Sequence, residues 1–377
     1  MRILISSGDY YPNLGGVTSL FGDITLMLMK SGHSVTVLTR QWPGMTSSEQ
    51  WNGCQILRLD YPMLFEQLIV HRQFVLRSPL ILWRVLRLLR TRRIETVCIG
   101  LLDLSAIYLL LLRPLLRFRL ILYLHGSETR VLSRTNPTYE WLLKWTLRAA
   151  DAVVAVSEEL AREAAGYVPS AESKIRVIHN GVDVEALNRA APRVHVRPYI
   201  AFVGRLVYEK DVDTLIEAFQ LACRKIEGVD LLIAGTGRGE AQLKAKAAVG
   251  GGAGRIRFLG RLEREACYSL VKGALFIVLP SRTEGHPIVA VESRVAGKPL
   301  LGSQIPGIAR LVEEGRTGVL FRQGDASELA GLIEKYCQDD AALAALAAGA
   351  RDSPCAEFDL ANLLPQHLTV FDGAAKS

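Results

Sequence analysis

Two carboxylates, Glu284 and Glu292, lie eight residues apart in the segment of this chain that best suits the binding of a sugar together with its phosphate. Glu284 follows an apolar run, 275–279, that predicts a strand. Pro287 suits the first position of a following helix, where a missing N–H costs nothing, and Gly297 suits the end of that helix. The free N–H groups at such a helix start attract phosphate. The segment therefore predicts a loop in which one carboxylate lies beside an anion-binding helix end.

The eight-residue spacing does not by itself identify a site. Glu209 and Glu217 have the same spacing, and there it reflects a loop and a helix that happen to follow one another. From this segment alone a second reading stays open, in which Glu284 and Glu292 are solvated carboxylates on an ordinary strand-to-helix connection. The residues at the other strand ends must decide between the two readings.

The composition indicates a globular protein of two domains. The chain has 377 residues, of which 49% are hydrophobic and 22% are charged, and this length exceeds one typical domain. The six cysteines form no Cys-x-x-Cys pair and no metal-ligand spacing, which favours reduced thiols and a cytoplasmic location. No signal peptide is expected, and every apolar run is far shorter than the ~20 residues that a membrane-spanning helix needs.

Apolar runs and helical stretches alternate along almost the whole chain, as in α/β proteins with open parallel sheets. A stretch at 184–198 with two prolines breaks this alternation, which then restarts. We therefore expect two Rossmann-like domains, 1–188 and 189–357, followed by a crossover helix and tail at 358–377 that packs back on the first domain. The runs that predict strands are 2–6, 34–38, 54–59, 95–100, 119–124, 152–156, 175–178, 199–203, 231–234, 256–259, 275–279, 299–301 and 318–321.

Ligands of open parallel sheets bind at the carboxyl ends of the strands, and several residues at these ends could form a site. Gly15 and Gly16 precede a helix and allow the backbone to approach a ligand closely, although a simple turn explains them equally well. His125 could donate to a sugar hydroxyl or to a developing charge, whereas a lone histidine is more often structural. Arg205 and Lys210 bracket a short loop, and two cations at a strand end suit a diphosphate, with surface salt bridges as the alternative.

Two further strand ends are rich in turn-forming residues. Asn180 and Gly181 follow the run 175–178 and by themselves indicate a turn. Gly235 and Gly237 follow another strand, where a tight turn is again the simpler reading.

The segment 71–93 carries seven arginines and no acid, and it accounts for most of the charge asymmetry of a chain whose net charge is +7. Arg84, Arg87 and Arg90 alternate with apolar residues as in a basic amphipathic helix, and such a helix can lie on an anionic membrane surface. The alternative is a surface helix whose apolar stripe packs on its own domain. Nucleic acid is not expected as a partner, because no aromatic interleaving and no recognised binding module accompany the arginines.

Taken together, these residues resemble the retaining glycosyltransferases of family 4 (glycosyl transferases group 1), which have the GT-B fold of two facing Rossmann-like domains with a cleft between them. The resemblance implies a nucleotide-sugar donor bound mainly by the second domain and a glycan or lipid-linked acceptor met mainly by the first. One motif departs from the family, since Glu-Gly-His-Pro stands at 284–287 where Glu-Gly-Phe-Gly is common. The matching motifs are Gly-Gly at 15–16, His-Gly at 125–126, Asn-Gly-Val-Asp at 180–183, Gly-Arg-Leu-x-x-Glu-Lys-Asp at 204–211, Gly-x-Gly at 235–237 and Glu-x7-Glu at 284–292.

The resemblance also implies roles for single residues. Arg205 and Lys210 would hold the donor diphosphate, and His125 would face the reacting centre. Glu284 would contact the hydroxyls of the transferred sugar, and Glu292 would contact those of the ribose. No cofactor is expected, and the family usually needs no bound metal, which agrees with the lack of an Asp-x-Asp cluster. The predicted catalytic residues are Glu284, His125, Arg205 and Lys210, and the predicted donor-binding residues are Gly15, Gly16, Arg205, Lys210, Gly235, Gly237, Glu284, Gly285, His286, Pro287, Ile288 and Glu292.

The resulting hypothesis is a transferase that moves a hexose from a nucleotide-diphosphate sugar, with retention, in cell-surface polysaccharide or glycolipid synthesis. No carboxylate in the motifs is an obvious covalent nucleophile, which favours a same-face displacement assisted by the leaving phosphate. The expected location is the cytoplasm or the inner face of the cytoplasmic membrane. A nucleotide-sugar 2-epimerase on the same fold and a non-catalytic sugar-nucleotide binding protein at the membrane stay open as alternatives.

Overall fold

The computed structural model of the protein describes residues 1–12, 15–60, 69–126 and 128–373, and for residues 69–75 and 135 it describes the backbone alone. The chain forms two compact units. Unit 1 comprises Met1–His179 and Leu363–Ser377, and unit 2 comprises Asn180–Asn362. Residues 374–377 of the expected tail lie outside the described residues, as do residues 13–14 of the first glycine-containing loop.

The chain crosses between the units at points that differ from the expected boundaries, 188/189 and 357/358. The first crossing comes earlier, because the helix Val184–Arg189 buries Leu187 in the core of unit 2. The second crossing comes later, because Phe358 belongs to the same core. The proline-rich stretch therefore marks a connection inside unit 2.

A mostly parallel sheet forms the centre of unit 1. Within the described ranges its strands are β1 (Arg2–Ser7), β2 (Ser34–Arg40), β3 (Ser48–Trp51), β4 (Cys54–Leu59), β5 (Thr96–Leu101), β6 (Arg119–Leu124), β7 (Ala152–Ala155) and β8 (Ile175–Val177). They lie in the order β3-β4-β2-β1-β5-β6-β7-β8, and among these described strands only β3 and β4 pair antiparallel. The expected strands are confirmed, and β3 is an addition to them.

The helices of unit 1 follow its strands. They are α1 (Gly16–Lys30), α2 (Ile69–Thr91), α3 (Ser105–Leu116), α4 (Ser133–Thr135), α5 (Pro137–Ala149) and α6 (Glu158–Tyr167), with a π-helical turn at Glu128–Leu132 and a 3₁₀ turn at Pro169–Lys174.

Side-chain caps determine where two of these helices begin, and the direction of the crossovers determines the face of the sheet on which the helices pack. Asn136 caps α5, accepting from the N–H groups of Thr138 and Tyr139, and Ser157 caps α6, accepting from the N–H group of Leu160. Right-handed crossovers from β4 to β5, from β5 to β6 and from β6 to β7 place α2, α3 and α5 on one face of the sheet, where they share one core.

Unit 2 is a second parallel α/β unit. Its strands are β9 (Tyr199–Val203), β10 (Asp230–Ala234), β11 (Ile256–Gly260), β12 (Ile277–Leu279), β13 (Leu300–Ser303) and β14 (Gly318–Phe321), in the order β11-β10-β9-β12-β13-β14. Its helices are α7 (Val184–Arg189), α8 (Val212–Ala222), α9 (Glu240–Ala247), α10 (Arg264–Gly273), α11 (Ile288–Val295), α12 (Pro306–Ala309), α13 (Ala326–Gln338) and α14 (Asp340–Arg351), with 3₁₀ turns at Tyr208–Lys210, Ala253–Arg255 and Ala356–Phe358.

The last helix, α15 (Leu360–Asp372), returns the chain to unit 1 as expected. The hydroxyl of Tyr123 on β6 and Nδ1 of His367 are hydrogen-bonded at 2.9 Å, and Arg119 Nη2 donates to the Val370 carbonyl at 3.0 Å. These contacts attach α15 to the sheet of unit 1. Of the helices in the described part of the chain, none has both the length and the apolar character required to cross a membrane.

Candidate functional site

The strand order of unit 2 reverses between β9 and β12. From β9 the chain moves outward through β10 and β11 on one side, and then through β12, β13 and β14 on the other. The loops that leave β9 and β12 therefore start side by side, and open α/β sheets bind their ligands at such a point. We name residues 204–211, after β9, the cationic loop and residues 281–287, after β12, the acidic loop.

Arg282 fastens the acidic loop to the cationic loop. Its backbone N–H donates to the Glu209 carbonyl at 2.8 Å, and its Nη2 donates to Asp211 Oδ1 at 2.8 Å. Its guanidinium also lies 4.6 Å from the ring centroid of Tyr208, a cation–π contact. The two loops thus form one connected structure at the reversal of the sheet.

Lys210 and Glu284, both predicted site residues, form an ion pair between these loops. Lys210 Nζ donates to Glu284 Oε1 at 2.5 Å, and the hydroxyl of Ser281 donates to the same oxygen at 2.7 Å. Their side chains are 21% and 9% exposed. Because an ammonium carries three N–H donors, Lys210 can hold Glu284 and still donate to an anionic ligand.

Arg205 occupies the start of the cationic loop and is exposed. Its guanidinium has no hydrogen bond or ion pair with any residue that the structure describes. The planar guanidinium of such an arginine is available to a phosphate, which it can bind through two parallel hydrogen bonds.

Gly235 and Gly237 lie directly against the cationic loop. Gly235 has φ +137°, and a Cβ there would lie 1.8 Å from the Gly204 carbonyl oxygen. A Cβ at Gly237 would lie 2.3 Å from the carbonyl oxygen of Leu206. These glycines therefore allow the backbone at 235–237 to contact the backbone at 204–206. This contact fixes the backbone position of Arg205.

The helix α11 begins at Ile288, one residue after the predicted start, with Pro287 as the residue before it. None of the described side chains caps this helix start, and the first N–H groups of a helix have no intrahelical acceptor. Gly285, His286 and Pro287, which directly precede the helix, are buried. The end of α11 is as predicted, with Gly297 at φ +63°.

Asn180 supports the acidic loop, a role that its sequence pattern did not indicate. Its Nδ2 donates to the His286 carbonyl at 2.7 Å, and the side chain is buried. The pattern at 180–183 predicts a turn and matches a family motif, but it does not predict this contact, because a partner 106 positions away leaves no local signal.

Gly307 on α12 is a second residue that sequence reading missed. A Cβ at this position would lie 2.1 Å from the Glu284 carbonyl oxygen, so only glycine allows α12 to contact the acidic loop. The signal that could have revealed it is the Pro306-Gly307 pair shortly after a strand end.

We expect Gly307→Ala to displace the acidic loop and to lower the free energy of unfolding by about 2 kcal/mol, because backbone atoms must move to admit the methyl group. Chemical denaturation measures this loss. Gly331→Ala on α13 is the matched control, since no described atom outside the helix's own backbone lies within 4 Å of a Cβ there. Equal stability of the two variants would show that the contact with Glu284 is not tight.

Glu292 is buried on α11, with 9% of its surface exposed. Burial raises the pKa of this carboxyl from 4.5 to about 7, and the positive charge of Arg264 opposes the rise only in part. Near neutral pH the group is therefore partly protonated. An ionised Glu292 can accept hydrogen bonds from a pair of hydroxyls, such as those of a ribose.

The stability of unit 2 should fall as pH rises from about 5 to about 8, because the folded protein holds a proton on Glu292 that the unfolded chain has already released. The pKa difference between the ordinary value of 4.5 and about 7 in the folded protein corresponds to a loss of about 3 kcal/mol in the free energy of unfolding. Glu292→Gln should remove most of this loss in denaturation experiments, whereas Glu185→Gln, whose carboxylate is 80% exposed, should not. An unchanged pH dependence in Glu292→Gln would refute the assignment.

In unit 1, His125 follows β6 and presents a hydrogen-bond acceptor. Its Nε2 lies 2.9 Å from the Gly100 carbonyl, which can only accept, so Nε2 carries the proton. Burial lowers the pKa of the ring, which keeps it neutral near pH 7. Nδ1 is buried and has no partner among the described residues. His125 thus offers an acceptor at Nδ1, where the sequence reading expected a donor.

Glu128 holds the His125 loop in place. Its side chain is fully buried, and Oε2 accepts from the backbone N–H groups of His125 at 3.0 Å and Gly126 at 2.9 Å. Gly126 has φ +118°, a conformation that favours glycine. The sequence reading included the His-Gly pair but not this carboxylate.

Gly15 and Gly16 mark the start of α1, as predicted. Gly15 is the extended residue before the helix and provides no side-chain cap, and no described atom lies within 4 Å of a Cβ placed on it. Gly16 is the first helical residue and is exposed.

Two family models match successive parts of the chain. Residues 14–186 match Glycosyltransferase Family 4, and residues 183–353 match Glycosyl transferases group 1.

Among curated proteins, the chain is similar to a glycogen synthase of Mycobacterium tuberculosis, with 33% identity over 216 residues, 57% of this chain and 52% of that protein. The chain thus matches about half the length of this relative. It is also 27% identical over 374 residues to a GDP-mannose-dependent alpha-(1-6)-phosphatidylinositol monomannoside mannosyltransferase of the same species, covering 92% of each.

Among solved structures, the chain resembles Anabaena HepE in complex with UDP-glucose, with a TM-score of 0.77, 18% identity, and 99% of this chain and 100% of that chain covered. This likeness over both units shows the fold. The two family models meet near the first crossing between the units and together span residues 14–353. The chain therefore belongs to the family 4, group 1 glycosyltransferases, and its fold is GT-B.

Proposed function

We propose that this protein is a retaining glycosyltransferase that moves a hexose from a nucleotide-diphosphate sugar to a glycan or lipid-linked acceptor. The observation that carries the proposal is the Lys210–Glu284 ion pair beside the exposed Arg205 at the strand reversal of unit 2. Cations and a carboxylate held at one point match the phosphates and hydroxyls of a nucleotide sugar.

Unit 2 holds the donor in this proposal. Arg205 and Lys210 bind the diphosphate, and the uncapped start of α11 adds N–H donors for the same charge. Glu284, fixed by Lys210, accepts from hydroxyls of the transferred sugar, and Glu292 accepts from those of the ribose. Since HepE is described in complex with UDP-glucose and the mycobacterial relative as GDP-mannose-dependent, both bases are candidates for the donor.

The chemistry follows from the charge that develops when the diphosphate leaves. Breaking the bond between the anomeric carbon and the phosphate oxygen leaves negative charge on the phosphate, and a cation already in place lowers the barrier by about 3 kcal/mol per well-placed donor. The acceptor oxygen bonds to the anomeric carbon from the same face, and its proton passes to the leaving phosphate oxygen. Glu284 acts as an anchor for the sugar, because its Oε1 already accepts from Lys210 and Ser281. No resident metal ion or cofactor is part of this proposal.

In this proposal the first unit meets the acceptor, His125 faces the reacting centre, and Gly15 and Gly16 belong to the donor-binding residues. The proposal places the protein in the cytoplasm or at the inner face of the cytoplasmic membrane, in the synthesis of cell-surface polysaccharide or glycolipid. The segment 71–93 is the proposed contact with an anionic membrane. Residues 71–75 of this segment have side chains outside the described part of the structure.

Product analysis tests the proposed activity. The protein is incubated with UDP-glucose or GDP-mannose, with and without candidate glycan and glycolipid acceptors, and the products are followed by proton NMR. We expect the free nucleoside diphosphate together with a glycoside whose anomeric configuration equals that of the donor. A glycoside of inverted configuration would contradict retention, and an epimerised sugar formed without acceptor would indicate a 2-epimerase instead.

A further inference from the structure

The helix α2 has apolar side chains on two sides. On its inner side Ile81, Val85 and Leu89 are 4%, 1% and 2% exposed and belong to the core of unit 1. The segment 71–93 therefore does pack on its own domain, as one of the two sequence readings expected. This packing leaves a second set of apolar side chains on the outer side of the helix.

The outer side of α2 combines apolar and basic residues. Leu76, Leu80 and Trp83 are 78%, 50% and 52% exposed, and Arg84 and Arg87 are exposed as well. Their spacing by three, four and seven positions places them along one face of the helix. Burial of leucine and tryptophan side chains is favourable, so transfer of this face from water to an apolar or interfacial medium is favourable too.

Two neighbouring helices continue this outer face. Leu111 and Leu115 on α3 are 53% and 61% exposed, and Trp141 on α5 is 53% exposed. The helix α3 contacts both α2 and α5, and all three bury their other sides in one core. Their exposed side chains therefore lie on the same outer side of unit 1, which we name the three-helix surface.

The charge of the three-helix surface is positive. Neither α2 nor α3 contains an acidic residue in its sequence. Among the described residues, no carboxylate pairs with Arg84, Arg87 or Arg90, and the guanidinium of Arg87 lies 5.5 Å from the ring centroid of Trp83. On α5, Glu140 is neutralised by Lys144 at 2.5 Å.

We propose that the three-helix surface docks on an anionic lipid bilayer, with Trp83 and Trp141 at the level of the headgroups. Unpaired arginines are attracted to anionic lipid, and tryptophan favours the interface between headgroups and acyl chains. A second copy of the chain would bring like charges together, which disfavours a symmetric dimer through this surface. The inference rests on the proposed membrane contact of the segment 71–93 and extends it to α3 and α5.

Vesicle binding tests the inference without donor or acceptor. The whole protein is floated with vesicles of phosphatidylcholine alone or mixed with phosphatidylglycerol, at low and high salt. We expect binding to the anionic vesicles that falls as salt rises, because the screening length shortens from ~10 Å at 0.1 M to ~3 Å at 1 M. The double variant Arg84→Gln, Arg87→Gln should bind about 25-fold more weakly, at roughly a factor of five for each arginine.

The double variant Leu111→Ser, Leu115→Ser distinguishes vesicle binding through the three-helix surface from vesicle binding through α2 alone. Since both leucines lie outside the segment 71–93, weaker binding by about tenfold or more supports the larger surface. The matched control is Val194→Ser, Val196→Ser in unit 2, whose valines are 94% and 96% exposed and should not affect vesicle binding. Melting temperatures show that each variant is folded.

Three outcomes overturn the inference. They are equal recovery with neutral and anionic vesicles, loss of the arginines without effect, and wild-type binding by the Leu111→Ser, Leu115→Ser variant. The last outcome leaves the contact of 71–93 alone in place. Because these assays contain no nucleotide sugar, a protein that binds vesicles but transfers no sugar would contradict only the proposed activity.

Discussion

Replacing Lys210 by alanine is expected to lower the turnover of sugar transfer by about 10²-fold or more. Lys210 is fixed before any ligand arrives, because Glu284 holds its ammonium in place. A charge that need not reorganise stabilises the leaving diphosphate most, at about 3 kcal/mol for one donor. The same substitution leaves the Glu284 carboxylate without its cation, so we also expect unfolding to become about 2 kcal/mol easier.

Lys225→Ala provides the matched control for Lys210→Ala. Lys225 pairs with Glu334 at 2.8 Å in the same unit, but its side chain is 68% exposed. Exposed pairs contribute about 0–1 kcal/mol, so this variant should keep both its stability and its turnover. Near wild-type turnover in Lys210→Ala would contradict the assignment of Lys210 to the diphosphate.

Replacing Arg205 by alanine is expected to lower turnover by a similar factor of about 10² or more while leaving stability unchanged. The guanidinium of Arg205 is exposed and has no partner among the described residues, so its removal breaks no contact of the folded protein. Substitutions of this kind change the free energy of unfolding by less than about 0.5 kcal/mol. The loss of turnover would therefore come from missing contacts with the ligand.

Steady-state kinetics and melting curves separate Arg205→Ala from Lys210→Ala. Both variants should lose turnover, whereas only Lys210→Ala should lose stability. Arg224→Ala is the control, because Arg224 is an exposed arginine at the end of α8, away from the carboxyl strand ends. A lower melting temperature for Arg205→Ala would reveal a structural role that the fold does not show.

The strands of both units could be predicted from the sequence because strands buried on both faces of a parallel sheet are continuous apolar runs. The run at 199–203, for example, is β9 at the same residues. The strand β3 was missed because its sequence, Ser-Glu-Gln-Trp, is not such a run and pairs antiparallel at the sheet edge. The GT-B fold then followed from the order of the motifs at the strand ends.

The contacts that join the site could not be predicted, because they connect positions far apart in the sequence. The Lys210–Glu284 pair spans 74 positions, and the Asn180–His286 hydrogen bond spans 106. A local pattern assigns each partner to a loop or a turn without indicating what it meets. Likewise, the eight-residue spacing of Glu284 and Glu292 did not reveal that one forms an ion pair while the other is buried with a raised pKa.

Calorimetric titration with UDP-, GDP- and ADP-sugars decides whether the loops after β9 and β12 form a donor site. The wild-type protein and the double variant Arg205→Ala, Lys210→Ala are titrated with each compound, with Arg224→Ala as the control. We expect one nucleotide sugar to bind the wild-type and control proteins and to bind the double variant at least about 10²-fold more weakly. Equal affinity for the double variant, or no binding of any nucleotide sugar to the wild type, would contradict a donor site at these two loops.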